Sequence, residues 1–210
     1  SGAHGCHRLG TLAPRRALDR GVGMGGGIGQ GHGRLSACEA KGKQVAVIVD
    51  STFVHSGITG LINIAYNGSP AVVCILDNGT TAMTGGQDHP GTGVTLSGKT
   101  GRRLDLPGIC RAAGIPNVEV FDPRDLAKTE ELLRTAMASD EPWVLIARCP
   151  CVLISRERKS PYEVNATACV RCGACLRLGC PAIAAEATDD PKRPQPVIDL
   201  AICVGCGLCE

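Results

Sequence analysis

One short stretch constrains the fold more than any other: an apolar strand that stops at an acid. Val45–Val49 is β-branched apart from one alanine, a composition typical of a parallel strand covered on both faces. Asp50 follows directly, and apolar side chains at helical spacing within residues 57–67 predict a helix just after a polar turn. Residues 71–76 form a second apolar run. Together these segments predict a βαβ unit of a doubly wound, parallel-sheet α/β domain.

Polar side chains stand at the carboxyl ends of both predicted strands. Asp50 ends the first strand, and Asn78, 28 residues later, follows the second. Because the carboxyl ends of parallel strands meet at one edge of a sheet, both side chains face the edge where open α/β sheets bind ligands. Mg²⁺ suits this pair, since it accepts a few protein oxygens and takes its remaining ligands from water and substrate phosphates. The sequence therefore predicts a magnesium site.

Two stretches around these residues resemble one known family. DSTFVHSGITGL, residues 50–61, and LDNGTTAMTGGQDHPGTG, residues 76–93, are similar to the thiamine-diphosphate signature of the indolepyruvate ferredoxin oxidoreductase alpha subunit. The resemblance extends over essentially all 210 residues and implies a thiamine-diphosphate-binding domain followed by a small dicluster ferredoxin-like α+β module. Val49 departs from the family, which usually has a glycine there that lets the backbone approach the diphosphate.

The resemblance also implies roles for individual residues. The Thr80 carbonyl would be the third protein ligand of magnesium, and Met24 would wedge between the two rings of the bent cofactor. His55 would act as the catalytic residue, handling a proton or a carboxylate. The alternatives are a core methionine at Met24, a packing or surface histidine at His55, and a buried thiol at Cys6. The expected cofactor contacts are Gly5, Cys6, Met24, Asp50, Ser51, Thr52, Asn78, Thr80, Met83 and Thr84.

Glycines and loops mark the rest of the first domain. The pattern Gly21-x-Gly23-x-x-Gly26 has the form of a dinucleotide fingerprint, but no strand-like run precedes it, so a Rossmann site is rejected. Residues 79–104 predict a long functional loop, whose front half would contact the cofactor and whose back half would be a mobile flap near the substrate.

The α/β pattern resumes after this loop. Residues 106–113 predict a short helix, residues 118–122 a strand, and residues 143–147 the last strand. Residues 125–139 predict a helix between these strands, with its apolar side chains inward. Those side chains are Leu126, Leu132, Leu133 and Ala136.

Seven of the thirteen cysteines fall within the last 42 residues. Their C-x-x-C-x-x-C groups, with an added C-P, are typical of ferredoxins that hold two [4Fe–4S] clusters. Zinc also binds thiolates, but its sites rarely use this spacing. In the dicluster pattern the fourth cysteine ligates the other cluster, so Cys180 is expected to join the second group, Cys203, Cys206 and Cys209. The first group, Cys169, Cys172 and Cys175, then awaits a ligand beyond Glu210.

Composition argues against several classes of function. A net charge of +2 gives no electrostatic case for nucleic acid, and no apolar run or signal peptide predicts a membrane span or secretion. Metal-ligating cysteines then indicate a reducing cytoplasm. We expect a cofactor domain at residues 1–154, a linker at 155–163 and an iron–sulfur domain at 164–210, all within a longer polypeptide.

The resemblance implies oxidative decarboxylation of arylpyruvates such as indolepyruvate. The products would be aryl-acetyl-CoA and CO2, with coenzyme A as co-substrate, ferredoxin as electron acceptor and a small beta subunit as partner. The family's catalytic glutamate lies in an earlier domain, so these residues alone are expected to be inactive. Two alternatives stay open: a pyruvate or 2-oxoglutarate ferredoxin oxidoreductase, which would share residues 83–87, and a non-catalytic electron carrier with a degenerate cofactor domain.

Overall fold

The computed structural model describes residues 10–11, 15–37, 42–154 and 159–210. Contacts divide the chain into two compact units. The sheet unit contains Leu18–Cys151, and the cysteine-rich unit contains Val152–Glu210 together with residues from Thr11–Ala17. Among the described residues, no helix has the length and hydrophobicity that crossing a membrane requires.

A four-stranded parallel sheet in the order β1-β2-β4-β3 forms the sheet unit. Val45 pairs with Val72 and Val72 with Trp143, so the strands run in close register and their carboxyl ends share one edge. The predicted parallel α/β sheet is confirmed. Its strands are β1 Val45–Val49, β2 Val72–Asp77, β3 Asn117–Phe121 and β4 Trp143–Arg148.

Helices cover both faces of this sheet. One apolar cluster joins strand residues such as Ile48 and Ile146 to helices on the first face, α1 (Gly26–Ala37), α3 (Ile58–Tyr66) and α4 (Leu106–Ala112). The alternate strand residues, among them Leu145, pack against α5 (Leu126–Ala138) on the second face. Because successive side chains of a strand point to opposite faces, each strand contributes to both cores. The sheet is therefore doubly wound, as predicted.

Two details of the helix prediction are wrong. No polar turn separates β1 from the next helix: α2 (Asp50–Thr52) begins directly after the strand, and a π-helical turn (Phe53–Gly57) joins it to α3. The helix can begin at Asp50 because an acid is favourable in the first turn of a helix. The π-helical turn can pack because residue 57 is a glycine: a Cβ there would lie 2.8 Å from the Phe53 ring. Leu126 is 56% exposed because it opens α5, beyond the fully buried stripe.

Helix α1 was not predicted, since its sequence is rich in glycine. Packing overrides this low propensity: Ile28 is fully buried, and a Cβ at Gly60 of α3 would lie 2.9 Å from the Ile28 side chain. His32 adds a buried hydrogen bond of 2.8 Å between its Nδ1 and Ser69 Oγ. Close approach between two helices therefore makes α1 stable.

The cysteine-rich unit contains little regular structure. Helix α6 (Ala174–Arg177) is one turn long, and β5 (Ile183–Glu186) pairs antiparallel with β6 (Gln195–Ile198). Within residues 159–210 the structure buries only Ala182, Pro196 and Gly205.

Candidate functional site

Asp50 lies at the carboxyl edge of the sheet and is fully buried. Its Oδ1 accepts the Ser51 backbone N–H at 2.8 Å, and its Oδ2 accepts the Gly79 backbone N–H at 2.9 Å. The ion pairs of the described residues give this carboxylate a histidine as partner, His89, rather than a lysine or arginine. A buried carboxylate is stable only when it is paired with a cation or binds a metal. Because no lysine or arginine of the described residues pairs with Asp50, the site lacks a permanently charged partner for it.

The segment after β2 closes over this carboxylate. Gly79 has a φ of +71°, a conformation that glycine adopts without strain, and this turn directs its N–H to Asp50. Thr80 is buried, and its N–H donates to Asn78 Oδ1 at 3.1 Å. The predicted pair, Asp50 and Asn78, is thus joined through one backbone turn at one edge of the sheet.

His89 completes the surroundings of Asp50 from the long loop. Its Nε2 lies 3.3 Å from Asp50 Oδ2, and its side chain is 7% exposed. The contact lacks hydrogen-bond geometry, so Nε2 is a buried nitrogen without a hydrogen-bond partner. His89 was not predicted as a site residue, although it lies within the stretch that resembles the family, because spacing along the chain gives no sign of a contact across 39 residues.

A cavity opens at the same edge of the sheet and gathers most of the predicted cofactor contacts. Its lining comes from the turn before α1, from the junction of β1 with α2, and from the segment after β2. The lining residues are Met24, Val49, Ser51, Thr52, Asn78, Thr80, Thr81, Ala82, Met83 and Thr84. Gly5 and Cys6 lie outside the described residues.

A second and larger cavity, of about 380 Å³, shares Met24, Ser51 and Thr81 with the first. Its other lining residues are Val54, His55, Asp88, His89 and Pro90. His55 therefore lies beside the predicted cofactor contacts, on the exposed side of the π-helical turn. A cavity of this size that mixes apolar walls with a few polar groups is typical of a small-molecule site.

Met24 reaches both cavities because the backbone beside it approaches the π-helical turn closely. Gly25 has a φ of +76°, and a Cβ there would lie 2.5 Å from Ser56 Oγ and 2.6 Å from the Ser56 carbonyl oxygen. Met24 itself is 53% exposed, so it is not a core methionine. Its side chain is available to a ligand in either cavity.

The long loop predicted at residues 79–104 is present and contains one short helical turn, Ala82–Thr84. Isolated bridges pair Thr81 with Gln87 and Val94 with Thr100. The loop is tied back on itself, since Arg103 Nε donates to the Gly91 carbonyl at 2.8 Å. That its back half acts as a flap stays a prediction.

The segment after β4 braces the same edge through its backbone. The N–H groups of Cys149 and Cys151 donate to the carbonyls of Asp77 and Asn78, each at 3.0 Å. Arg148 Nε donates to Asp77 Oδ2 at 2.7 Å. Asn78 is therefore held from both sides.

Within the cysteine-rich unit, the second cysteine group and Cys180 influence one another electrostatically. Burial raises the pKa of Cys209, and the nearby thiols of Cys206, Cys180 and Cys203 raise it further. Among the described residues, no three His, Cys, Asp or Glu side chains converge on a site for a single metal ion. That these cysteines bind an iron–sulfur cluster stays a prediction.

Comparison with known proteins identifies the family. Residues 3–147 match the model of the thiamine pyrophosphate enzyme, C-terminal TPP binding domain. The chain belongs to the thiamine pyrophosphate enzymes. The chemistry of the site fits the family, since a buried carboxylate without a permanent cation, an amide and a backbone turn are oxygen donors of the kind that Mg²⁺ accepts beside a diphosphate.

Longer relatives carry the resemblance predicted from sequence. The chain is 37% identical to the indolepyruvate oxidoreductase subunit IorA of Pyrococcus abyssi and 39% identical to that of Thermococcus kodakarensis, in each case over 98% of this chain and 34% of the relative. The predicted resemblance is confirmed, and the chain spans about a third of the length of the curated relatives it matches.

Solved structures of thiamine-dependent enzymes share the fold. A 2-oxoglutarate:ferredoxin oxidoreductase from Magnetococcus marinus superposes with a TM-score of 0.57 at 16% identity, covering 70% of this chain and 53% of that one. An enzyme from Mycobacterium smegmatis described as a putative thiamin diphosphate-dependent enzyme gives a TM-score of 0.52 at 21% identity, covering 70% and 28%. At these identities the likeness shows the fold alone.

Proposed function

We propose that this chain is the cofactor-binding and electron-transferring part of an enzyme that oxidatively decarboxylates arylpyruvates of the indolepyruvate type. The products would be aryl-acetyl-CoA and CO2, with coenzyme A as co-substrate. The observation that carries the proposal is the fully buried Asp50, which pairs with no lysine or arginine among the described residues. A backbone turn joins it to Asn78, which lines the cavity that gathers the predicted cofactor contacts.

Residues of the sheet unit would hold the cofactor. Asp50, Asn78 and the Thr80 carbonyl would bind magnesium, and the backbone around Ser51, at the amino end of the helical segment, would face the diphosphate. When bound, thiamine diphosphate supplies the electron sink for decarboxylation. The protein's part is to position it, and Met24, at the wall shared by both cavities, would support the bent cofactor.

The second cavity would receive the substrate. Met24, Val54 and Pro90 offer apolar contacts for an aryl group, while His55 and Asp88 offer polar ones. His55 would bind the substrate carboxylate or move a proton there. Competition among indolepyruvate, pyruvate and 2-oxoglutarate in the full-length protein tests this assignment, and a preference for either small oxoacid would contradict it.

The cysteine-rich unit would carry electrons to ferredoxin through two [4Fe–4S] clusters. The cysteine spacing supports one cluster bound by Cys180, Cys203, Cys206 and Cys209, and the thiols of the first three raise the pKa of Cys209. Cys169, Cys172 and Cys175 would hold the other. Because the relatives are subunits by name, a small beta subunit is proposed as the partner.

Matched substitutions at the sheet edge test the cofactor assignment. Asp50→Asn keeps the side-chain size but removes the charge, and breaking a buried ion pair costs about 3–5 kcal/mol, so thiamine diphosphate affinity should fall by about 100-fold or more. Asp50→Ala should abolish binding. Calorimetry in the presence of Mg²⁺ measures both, in the full-length protein.

The control is Asp122→Asn, which removes the exposed acid that follows the outermost strand, β3, and pairs with Arg124. It should leave cofactor affinity close to that of the parent, and all three variants should keep the brown absorbance of their clusters. Undiminished thiamine diphosphate affinity in Asp50→Ala would overturn the magnesium assignment.

A further inference from the structure

We propose that His89 is a positioning residue that restricts one oxygen of the Asp50 carboxylate and leaves the other for the metal. In this way it makes the site prefer Mg²⁺ to Ca²⁺. The inference rests on the proposed function, because it concerns the metal that holds the cofactor. It adds a residue that stands outside the aspartate, asparagine and carbonyl set implied by the family resemblance.

The loop holds the His89 ring in one orientation. Its Nδ1 accepts the Gly91 backbone N–H at 3.1 Å, and a Cβ at Gly91 would lie 2.7 Å from the ring carbon Cε1. Glycine at position 91 therefore leaves the room that the ring occupies beside this turn. Arg103 fixes the turn from the other side through its 2.8 Å hydrogen bond to the Gly91 carbonyl.

This arrangement also selects the tautomer. A neutral imidazole has one donor and one acceptor nitrogen, and Nδ1 is the acceptor here because it receives an N–H. The ring proton therefore lies on Nε2, which is buried, lacks a hydrogen-bond partner and lies 3.3 Å from Asp50 Oδ2. The distance is already within reach of a hydrogen bond, and a small tilt of the ring, with Nδ1 still facing the Gly91 N–H, would align the Nε2 proton with Oδ2.

The two oxygens of Asp50 are then unequal. Oδ2 accepts the Gly79 N–H and has His89 Nε2 3.3 Å away, so two protein nitrogens already lie against this oxygen. Oδ1 accepts only the Ser51 N–H in the described structure and keeps one lone pair for a metal. His89 thus leaves the carboxylate able to offer a single oxygen.

A single carboxylate oxygen favours the smaller cation. Mg²⁺ requires a compact octahedral set of ligands, whereas Ca²⁺ is larger and often takes both oxygens of one carboxylate. Removing the His89 donor should release Oδ2 and loosen the carboxylate. Mg²⁺ then loses a preorganised ligand, while Ca²⁺ gains access to a second oxygen.

Metal affinities of the full-length protein test the inference. Mg²⁺ and Ca²⁺ are titrated separately in the presence of thiamine diphosphate, with the parent, His89→Ala and His89→Gln. Outer-sphere partners of metal ligands typically change affinity by about 10–100-fold, so His89→Ala should lower the ratio of Mg²⁺ to Ca²⁺ affinity by about tenfold. His89→Gln restores an N–H donor and should restore the ratio.

His32→Ala is the matched control, because His32 is another buried histidine of the sheet unit but hydrogen-bonds Ser69. It should reduce stability without moving the ratio. Equal losses for both metals in His89→Ala, or a fall in thiamine diphosphate affinity with an unchanged metal ratio, would overturn the inference. A parent that binds neither metal would overturn the proposed function itself, so the two failures are distinguishable.

Discussion

The two units of the chain bury their side chains very differently. In the sheet unit, strands β1, β2 and β4 contribute residues of 0% exposure, and two apolar clusters lie on opposite faces of the sheet. In the cysteine-rich unit, residues 159–210 bury only an alanine, a proline and a glycine, whereas Val170 is 77% exposed. Seven cysteines nevertheless fall within that stretch.

The difference shows two sources of stability in one chain. Burial of branched apolar side chains stabilises the sheet unit, at about 25 cal/mol for each Å² removed from water. A segment of about 50 residues without a core needs a covalent or metal cross-link to fold. The proposed clusters are thus expected to stabilise the cysteine-rich unit as well as to carry electrons.

The largest predicted effect comes from removing iron. Anaerobic chelation in the full-length protein should abolish protection from hydrogen exchange across residues 164–210, because metal-dependent folding is lost with the metal. The strands of the sheet unit should keep their protection and serve as the internal control. Retained protection in the iron-free β5–β6 hairpin would contradict the comparison.

Adding one methyl group, by Gly25→Ala, should destabilise the sheet unit alone. Gly25→Ala forces a Cβ against Ser56 at a φ of +76°, and we expect a loss of about 1–3 kcal/mol in unfolding free energy from the strained backbone, with weaker cofactor binding. Gly23→Ala is the control, since a Cβ there meets nothing within 4 Å. Denaturant unfolding measures both, and equal effects would show that the close approach at Gly25 is unimportant.

The smallest predicted effect is a difference in thiol reactivity between the two units. Burial raises the pKa of Cys110, in the core of the sheet unit, to about 12, so its thiol stays protonated and unreactive at neutral pH. Cys172 and Cys206 are exposed and should be alkylated far faster in iron-free protein. Mass spectrometry after brief iodoacetamide treatment distinguishes them, and early labelling of Cys110 would contradict its burial.

Local sequence alone determined much of this protein. Runs of β-branched residues predicted β1 and β2, because such side chains suit a strand covered on both faces. The change to polar residues at Asp50 and Asn78 predicted the ligand edge, since parallel strands end together. Cysteine spacing likewise predicts iron–sulfur chemistry, because cluster ligation depends on short-range geometry within one segment, and this stays a prediction.

Only the tertiary structure decided the features that depend on distant contacts. The glycine-rich α1 becomes a helix because Ile28 packs against Gly60 of another helix, which local propensity cannot report. The helix that begins at Asp50 continues through a π-helical turn because Gly57 leaves room for its neighbours. His89 meets Asp50 only because residues 79–104 fold back over the sheet edge, and the pattern of residues along a loop encodes no such distance.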